Sequence, residues 1–253
     1  MTLPDKLLED ALLKKAIYTG IILILGACVI SQVLMQLGGG IRDEPMDLSS
    51  QLPADSLGQS ENSVIFENGL PPFISSGGLF YPEKAVFDIG LALGGLLTIL
   101  LSADLFLRTK SGLKTSGGSV WRRGANVGQL VSGIIIGGSL VMLTRNPFNV
   151  ALVAHIFYAM NIFYGSFIWG AFIAFSRGRL DSDLKVLRGM PLSTVRWGLV
   201  LAGFASFQVM LILLANNFVY ESAFFEWTLT FAGEAQVLTI IPILSSVVVD
   251  EEE

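Results

Sequence analysis

The stretch AIYTGIILILGACVISQVLMQL, residues 16–37, sets the structural class of this 253-residue chain. It follows Lys14 and Lys15, and its 22 residues exceed the roughly 7 to 15 apolar residues of a signal-peptide core. No small-residue cleavage site comes after it. A helix of this length, rising about 1.5 Å per residue, crosses the hydrocarbon layer of a bilayer. We therefore predict a retained membrane anchor.

Five further apolar stretches follow the first one. They occupy residues 85–107, 127–144, 150–175, 197–215 and 225–248. Each has 18 or more residues, which corresponds to a helix of at least about 27 Å. The composition agrees, because 52% of the residues are hydrophobic and only 15% are charged, against roughly 25% charged in soluble domains. The sequence predicts an all-α membrane protein, with one six-helix transmembrane domain that covers residues 1–253.

The basic residues indicate how the helices are oriented. Thirteen Lys and Arg residues fall on the side of the N-terminus, and only Arg42, Lys84 and Arg145 fall on the other side. Because basic loops are retained in the cytoplasm, both termini are predicted to lie there, N-in and C-in. The long loop of residues 38–84 then faces outward or into a lumen. Its Gly, Pro, Ser and Asn content favours an irregular or short-stranded cap.

The net charge of −5 says little about partners. The acids concentrate in the loop of residues 38–84 and in the terminal run of residues 250–253, so they define no acidic binding face. Nothing in the sequence points to nucleic acid. Cys28 is the only cysteine, so no intramolecular disulfide forms.

Small residues predict where the helices pack. Gly90 and Gly94 in the second span, and Gly133 and Gly137 in the third, form two G-x-x-x-G pairs. Such pairs let helix backbones approach closely in lipid. We interpret them as contacts within the bundle.

Ionisable residues inside the spans are the candidates for function, because a charge at the bilayer centre costs about 2.5 to 3.5 kcal/mol. Asp104 lies near the inner end of its span, and we expect it to be interfacial. Asp88, His155 and Glu226 each lie within about 8 Å of the outer boundary by helix rise. These three are predicted to converge on one outer-leaflet pocket.

The last span extends this polar cluster into the membrane. Glu226, Thr230 and Glu234 recur every four residues and therefore share one face, over about 12 Å. Trp227 adjoins Glu226. The candidate outer-leaflet polar pocket consists of Asp88, His155, Glu226, Trp227 and Glu234.

Four roles for this pocket remain open from the sequence. A carboxylate bonded to His155 or to a loop amide would tie helices together. A lipid headgroup or a small ligand would fill a pocket. His155 could act as a general base oriented by Glu226 or Asp88. One His with two carboxylates would form a metal site, but these ligands are scattered and lack a local spacing signature, so we predict no metal and no cofactor.

The residues resemble a known family. Residues 70–88, LPPFISSGGLFYPEKAVFD, resemble the outer-loop signature of the Frag/DRAM/Sfk family of six-span membrane proteins, a Pro-aromatic-Ile-Ser-Asp run followed by Pro-Glu. The segment SAFFEWT, residues 222–228, is similar to the Glu-Trp signature of that family's last span. The family's aspartate after Ile-Ser is replaced here by Ser76. The signature positions that carry over are Pro72, Phe73, Ile74, Ser75, Pro82, Glu83, His155, Glu226 and Trp227.

The resemblance implies a role in lipid handling. Its members are associated with recruitment of phosphoinositide kinases, with lipid organisation at the plasma membrane, with remodelling of glycosylphosphatidylinositol anchors and with lysosomal membranes. We therefore expect a non-enzymatic membrane-lipid regulator or scaffold, whose partners are membrane lipids and a lipid-modifying enzyme or another membrane protein. The alternatives are a lipid-remodelling enzyme that uses Asp88, His155 and Glu226, and a subunit of a larger membrane assembly.

The inner loop fits a regulator at a lipid surface. Five basic residues lie between Arg108 and Arg123 without an acid among them, and each is worth about 1 kcal/mol beside anionic lipid. The alternative is that these residues only set the topology.

Overall fold

The structure, a computed structural model, describes residues 4–38, 44–51, 65–67, 69–186 and 188–245. Within these ranges, six helices are long and apolar enough to cross a membrane. They are α1 Asp10–Gly38, α2 Glu83–Thr115, α3 Val120–Arg145, α4 Leu152–Arg177, α5 Leu192–Ala215 and α6 Val219–Leu238, followed by a short α7, Ile241–Ser245. The prediction of an all-α bundle of six spans is confirmed, and the chain is an integral, multi-pass membrane protein.

The loops carry short elements. Strand β1, Met46–Asp47, pairs antiparallel with β2, Ile65–Phe66, and β3, Lys185–Val186, pairs with β4, Met190–Pro191. A 3₁₀ helix, Ile74–Gly78, precedes α2. An apolar cluster of Met35, Leu48, Leu70, Leu79 and Phe148 packs the first loop against the ends of the helices.

The sixth span differs from the continuous stretch that the sequence predicts. α6 begins at Val219, ends at Leu238 and is separated from α7 by a turn at Thr239 and Ile240. Pro242 has no N–H to donate to the carbonyl of Leu238, so the helical hydrogen-bond pattern cannot continue past this point.

Successive helices are neighbours in the bundle. The pairs α1–α2, α2–α3, α3–α4 and α5–α6 pack along their lengths, whereas α6 meets α1 and α4 at few positions. We name the end where α1 finishes and α2 starts the cap end, and the opposite end, where α2 finishes and α3 starts, the basic end. The N-in and C-in orientation, which places the basic end in the cytoplasm, stays a prediction.

Both G-x-x-x-G pairs lie at helix contacts within the chain. A Cβ atom added at Gly90 would lie 2.1 Å from the Cβ of Ala27 on α1. One added at Gly137 would lie 2.4 Å from the carbonyl oxygen of Gly95 on α2. These distances are shorter than any real contact, so the helices approach this closely only because the side chains are absent.

We predict that Gly137→Ala destabilises the bundle by about 1–3 kcal/mol, because the methyl group meets backbone and forces α2 and α3 apart. Gly138→Ala is the matched control, since nothing lies within 4 Å of a Cβ there. Thermal unfolding in detergent measures both. Equal stability of the two variants would contradict the packing.

The basic end contains a buried ion network. Arg177 donates from Nε and Nη2 to the two carboxylate oxygens of Asp181 at 2.9 and 2.7 Å. Arg196 donates to the same carboxylate at 2.6 Å and to the carbonyl of Thr239 at 3.0 Å. Asp181 therefore links α4, α5 and the turn after α6. Two arginines that counted as loop charges are in fact internal.

A second buried carboxylate anchors the N-terminal segment. Asp104 is fully buried, and it accepts hydrogen bonds from the amides of Leu7 and Leu8 at 2.7 and 2.8 Å. Arg108 pairs with Asp104 and, at 2.8 Å, with Asp10. Asp104 therefore anchors the N-terminal segment, a role that the expectation of an interfacial position did not include. Arg108 is therefore paired with acids, contrary to its description as a basic residue without an opposing acid. Asp104 lies one turn earlier on α2 and Asp10 lies on α1, so the sequence of the inner loop does not reveal either partner.

Asp181 lies in the loop after α4, and its charge state controls this network. Burial raises the pKa of Asp181, but the hydrogen bonds and charges of Arg177 and Arg196 outweigh burial, so the pKa lies below its ordinary value. A lowered pKa in the folded state means that the stabilisation is fully present above roughly pH 4 and is lost as the pH falls through the lowered value.

We expect Asp181→Asn to cost about 3–5 kcal/mol of stability at neutral pH, because two buried guanidinium groups lose their counter-charge. Asp183→Asn, at an exposed position two residues on, should change stability by no more than about 0.5 kcal/mol. Acid titration of thermal unfolding adds a second readout, since the loss below about pH 4 should be weaker in Asp181→Asn. An unchanged acid profile in that variant would count against the network.

Candidate functional site

The cap end is closed by a non-helical segment that we name the signature segment, residues 70–79. It includes the 3₁₀ helix Ile74–Gly78, and most of its residues are buried. Buried backbone outside a helix needs partners for its N–H and C=O groups, because an unpaired group costs free energy comparable to a lost hydrogen bond. The surrounding helices supply them.

Three side chains of the bundle bind the backbone of this segment. The amide of Ile74 donates to the Glu226 carboxylate at 2.8 Å, and the indole of Trp227 donates to the carbonyl of Pro72 at 3.0 Å. Gln32 on α1 donates to the carbonyl of Phe73. Glu226 and Trp227 therefore act together, one accepting and one donating. The observed contact agrees with the structural role considered for Glu226, a carboxylate bonded to a loop amide.

Two glycines let the signature segment sit directly on the helices. A Cβ atom at Gly77 would lie 2.4 Å from the hydroxyl oxygen of Ser31, and one at Gly78 would lie 2.6 Å from the ring of Phe87. Any larger residue would therefore lift the segment from α1 or α2.

His155 lies at the same end, near the start of α4. Its Nδ1 lies 2.8 Å from the carbonyl oxygen of Asn146, which can only accept, so Nδ1 carries the proton. The ring also packs edge-on against Phe148, with centroids 5.6 Å apart. The contact fixes the tautomer and leaves Nε2 as a hydrogen-bond acceptor.

A cavity of about 100 Å³ lies beneath the signature segment, in the middle of the bundle. Its walls come from α1, α2, α3, α4, α6 and the segment, and they are mostly apolar. Examples from these six elements are Ile24, Leu91, Ile136, Ile162, Leu229 and Ile74. His155, Glu226 and Glu234 line it as well.

Two polar groups face this cavity without a partner. Trp169 is only 4% exposed, and its indole Nε1 has no hydrogen-bond partner among the residues that the structure describes. The Glu234 carboxylate likewise receives no hydrogen bond or ion pair from the described part of the chain. A narrower space of about 20 Å³ continues past these two residues toward α1. Unpaired polar groups in a buried cavity indicate a site that a ligand or water completes.

Comparison with known protein families gives a match. The model of the Frag1/DRAM/Sfk1/Cwh43P N-terminal domain matches residues 56–241. The chain belongs to this family. Neither a curated protein nor a solved structure matches it. The resemblance seen in residues 70–88 and 222–228 is confirmed.

Residues of the family signature contact one another in the structure. The two separated halves of the signature meet in space, because Glu226 and Trp227 bind the backbone at Ile74 and Pro72. Pro82 directly precedes α2, and Glu83 lies buried in its first turn. Ser75 lines the cavity, and Phe73 offers its carbonyl to Gln32.

Ser76 marks the departure from the family pattern. Its side chain is fully buried, and the hydroxyl donates to the carbonyl of Pro71 at 2.6 Å. An ionised aspartate has no proton to donate there. The segment in this chain is therefore closed by a hydroxyl contact of its own.

Of the five candidates, His155, Glu226 and Glu234 line the cavity, whereas Asp88 and Trp227 are not among its lining residues. The Asp88 carboxylate pairs with Lys84, one turn earlier on α2, at 2.8 Å, and Lys84 also donates to the carbonyl of Thr144. The structure therefore places His155, Glu226 and Glu234 on one cavity and Asp88 outside it. Helix rise gives the depth of a residue, but the direction in which it points depends on how the helix is rotated.

The catalytic role and the metal-binding role considered for the pocket receive less support. His155 binds a backbone carbonyl, and Glu226 binds a backbone amide, so among the described residues no hydrogen bond joins the proposed base to its orienting acid. Within the same ranges, no group of three or more His, Cys, Asp or Glu residues could hold a metal ion.

Sequence reasoning missed Gln32 and Trp169. Gln32 is one of the few polar residues inside the first apolar span, which was an available signal. Trp169 gave no signal, because Trp is common in membrane helices and only the packing shows that its N–H is unpaired.

We predict that Glu226→Ala loosens the signature segment, because the buried amide of Ile74 loses its acceptor at a cost of about 1–3 kcal/mol. Hydrogen exchange at Ile74 should accelerate, and the exchange of mid-helix amides in α3 should not. Glu221→Ala, an exposed site on the first turn of α6, is the control. Unchanged exchange at Ile74 would show that the contact does not hold the segment.

Proposed function

We propose that this protein is a non-enzymatic regulator of membrane lipids that binds an amphipathic lipid in its central cavity. The observation that carries the proposal is the apolar cavity with Trp169 and Glu234 unpaired at its depth. Family membership supports a membrane role, and the cavity supports the lipid.

The walls favour an apolar ligand over a polar solute. Leu, Ile, Val, Phe and Ala side chains from five helices face the space, and such surfaces gain free energy when hydrocarbon covers them. The volume is below the roughly 150 Å³ of an engineered cavity that holds benzene. The cavity therefore holds the inserted end of a lipid, and the remainder extends into the bilayer.

We infer that the lipid enters beside α6. α6 packs along α5 but meets α1 and α4 at few positions. Near the basic end, Gly170 brings α4 against Gln236 of α6. Toward the cap end the cavity separates the two helices, with Ala159 on one wall and Leu229 on the other.

The unpaired groups define the polar end of the ligand. The indole N–H of Trp169 can only donate, and the Glu234 carboxyl accepts when ionised or donates when protonated. A hydroxyl group satisfies both, because it accepts from the indole and donates to the carboxylate. A lipid with a hydroxylated polar end matches these requirements.

The signature segment couples occupancy to the surface. Ile74 and Ser75 contribute to the cavity wall, and Glu226 touches the cavity while it holds the Ile74 amide. A lipid that fills the cavity therefore supports the segment from below. This linkage gives a regulator its signal, since occupancy of the cavity and docking of the segment depend on one another.

We expect Ala159→Phe to lower the occupancy of a co-purified lipid by about tenfold, which corresponds to a loss of about 1.4 kcal/mol, because the ring fills the cavity. Ala205→Phe, on an exposed face of α5, makes the same substitution without entering the cavity. Native mass spectrometry of the full chain, with lipid identification after extraction, measures the occupancy. Equal retention of lipid by the two variants would overturn the proposal.

Trp169→Phe and Glu234→Gln test the polar end separately. Each variant removes or alters one hydrogen-bonding group and should weaken the binding of a hydroxylated lipid by about fivefold, near 1 kcal/mol. The binding of a lipid without a hydroxyl group should change less. Conversion of the bound lipid to a product of different mass, lost in His155→Ala, would instead identify an enzyme and refute the non-enzymatic role.

A further inference from the structure

A second, separate groove lies at the basic end, far from the central cavity. It has a volume of about 620 Å³ and runs between the start of α3, the end of α4 and the start of α5. Arg122, Ser193 and Thr194 line it together with Phe175, Trp197 and Leu201. Among the residues that the structure describes, no acidic side chain lines it.

The charge of this groove is uncompensated. No hydrogen bond or ion pair from the described residues reaches the Arg122 guanidinium, and the neighbouring Arg179 repels it. Arg108, Arg177 and Arg196, at the same end, are all paired with carboxylates. Unlike these three, Arg122 has no counter-charge among the described residues, which leaves room for an external anion.

The groove changes from polar to apolar along its length. On α5, Ser193, Trp197 and Leu201 recur at four-residue spacing and share one face, which descends about 12 Å from the first to the last. Trp197 is exposed, as is Trp121 beside Arg122, and exposed Trp residues mark the membrane interface. Below them, Phe175 and Leu201 are also exposed and apolar.

We propose that this groove binds an anionic glycerophospholipid of the leaflet at the basic end. Arg122 pairs with the phosphate, with the charge of Arg179 nearby and the hydroxyl groups of Ser193 and Thr194 available as donors. An acyl chain follows Phe175 and Leu201. A zwitterionic headgroup fits less well, because its cation would lie among arginines without an acid to receive it. The site is independent of the lipid proposed for the central cavity.

The test uses the full chain in neutral detergent, with phosphatidic acid and phosphatidylcholine as probes in native mass spectrometry. Phosphatidic acid should bind more tightly than phosphatidylcholine, and Arg122→Gln should weaken it by about fivefold, the effect of one basic residue near a lipid surface. Arg123→Gln is the matched control, since Arg123 is exposed, does not line the groove and donates to the carbonyl of Gly118. It should change binding by less than about twofold.

A second variant keeps the test independent of folding defects. Ser193→Asp places a carboxylate in the first turn of α5, where a negative charge stabilises a helix. It should nevertheless reduce binding of phosphatidic acid, because it repels the phosphate. Equal losses in Arg122→Gln and Arg123→Gln would reduce the effect to general surface charge and overturn the proposal.

Two further measurements distinguish a lipid site from a free-anion site, and the groove from the central cavity. Inorganic phosphate that displaces phosphatidic acid at equal concentration would show a site for a free anion, not for a lipid, and would overturn the proposal. Ala159→Phe should leave the phosphatidic acid preference unchanged. Loss of cavity lipid with retention of groove lipid, or the reverse, distinguishes failure of one site from failure of the other.

Discussion

Non-helical backbone at the end of a membrane bundle must find hydrogen-bond partners within the protein, and this constraint organises the cap end. The signature segment meets it through side chains of α1 and α6. Glu226 accepts from the Ile74 amide, and Trp227 and Gln32 donate to neighbouring carbonyls. The cavity exists because the segment is held across the end of the helices, so its roof depends on the same contacts.

The polar groups of this protein fall into two classes. Most buried ones are paired within the chain, as in the Asp181 network and at Asp104. The buried Trp169 indole has no partner among the described residues, and the half-buried Arg122 guanidinium in the groove receives no hydrogen bond or ion pair from them either. Buried polar groups are costly to leave unpaired, so the Trp169 indole is a position that a ligand would complete. Both positions border apolar surface, which is the reason we propose a lipid for each.

The two sites differ in what they can recognise. The cavity offers one donor and one carboxyl in an apolar space, and we propose that it selects a ligand by its hydroxyl and its shape. The groove offers positive charge beside exposed Trp residues, and we propose that it selects a ligand by its phosphate. A regulator with both sites would bind one lipid in the middle of the bundle and another at the basic end. The buried ion network lies beside the groove end and keeps α4, α5 and α6 in fixed positions there.

Much of the fold follows from the sequence, because apolar stretches such as residues 16–37 must form helices in lipid. The G-x-x-x-G pairs likewise predicted close packing, because this motif is defined by residue spacing within a single helix. The exact ends of the helices were harder to predict, as the break before Pro242 shows. The family match rests on local patterns as well, at residues 70–88 and 222–228.

The sequence by itself determined the class of protein, the six spans and the family, and it predicts the depth of His155, Glu226 and Glu234 in the membrane. Only the tertiary structure decided which side chains face one another. In the structure Asp88 pairs with Lys84, Asp104 is buried, and the Trp169 indole has no partner among the described residues. Hydropathy and helix rise depend on position along one helix. Pairing of polar groups depends on the rotation of several helices about their axes, which packing of the whole bundle sets.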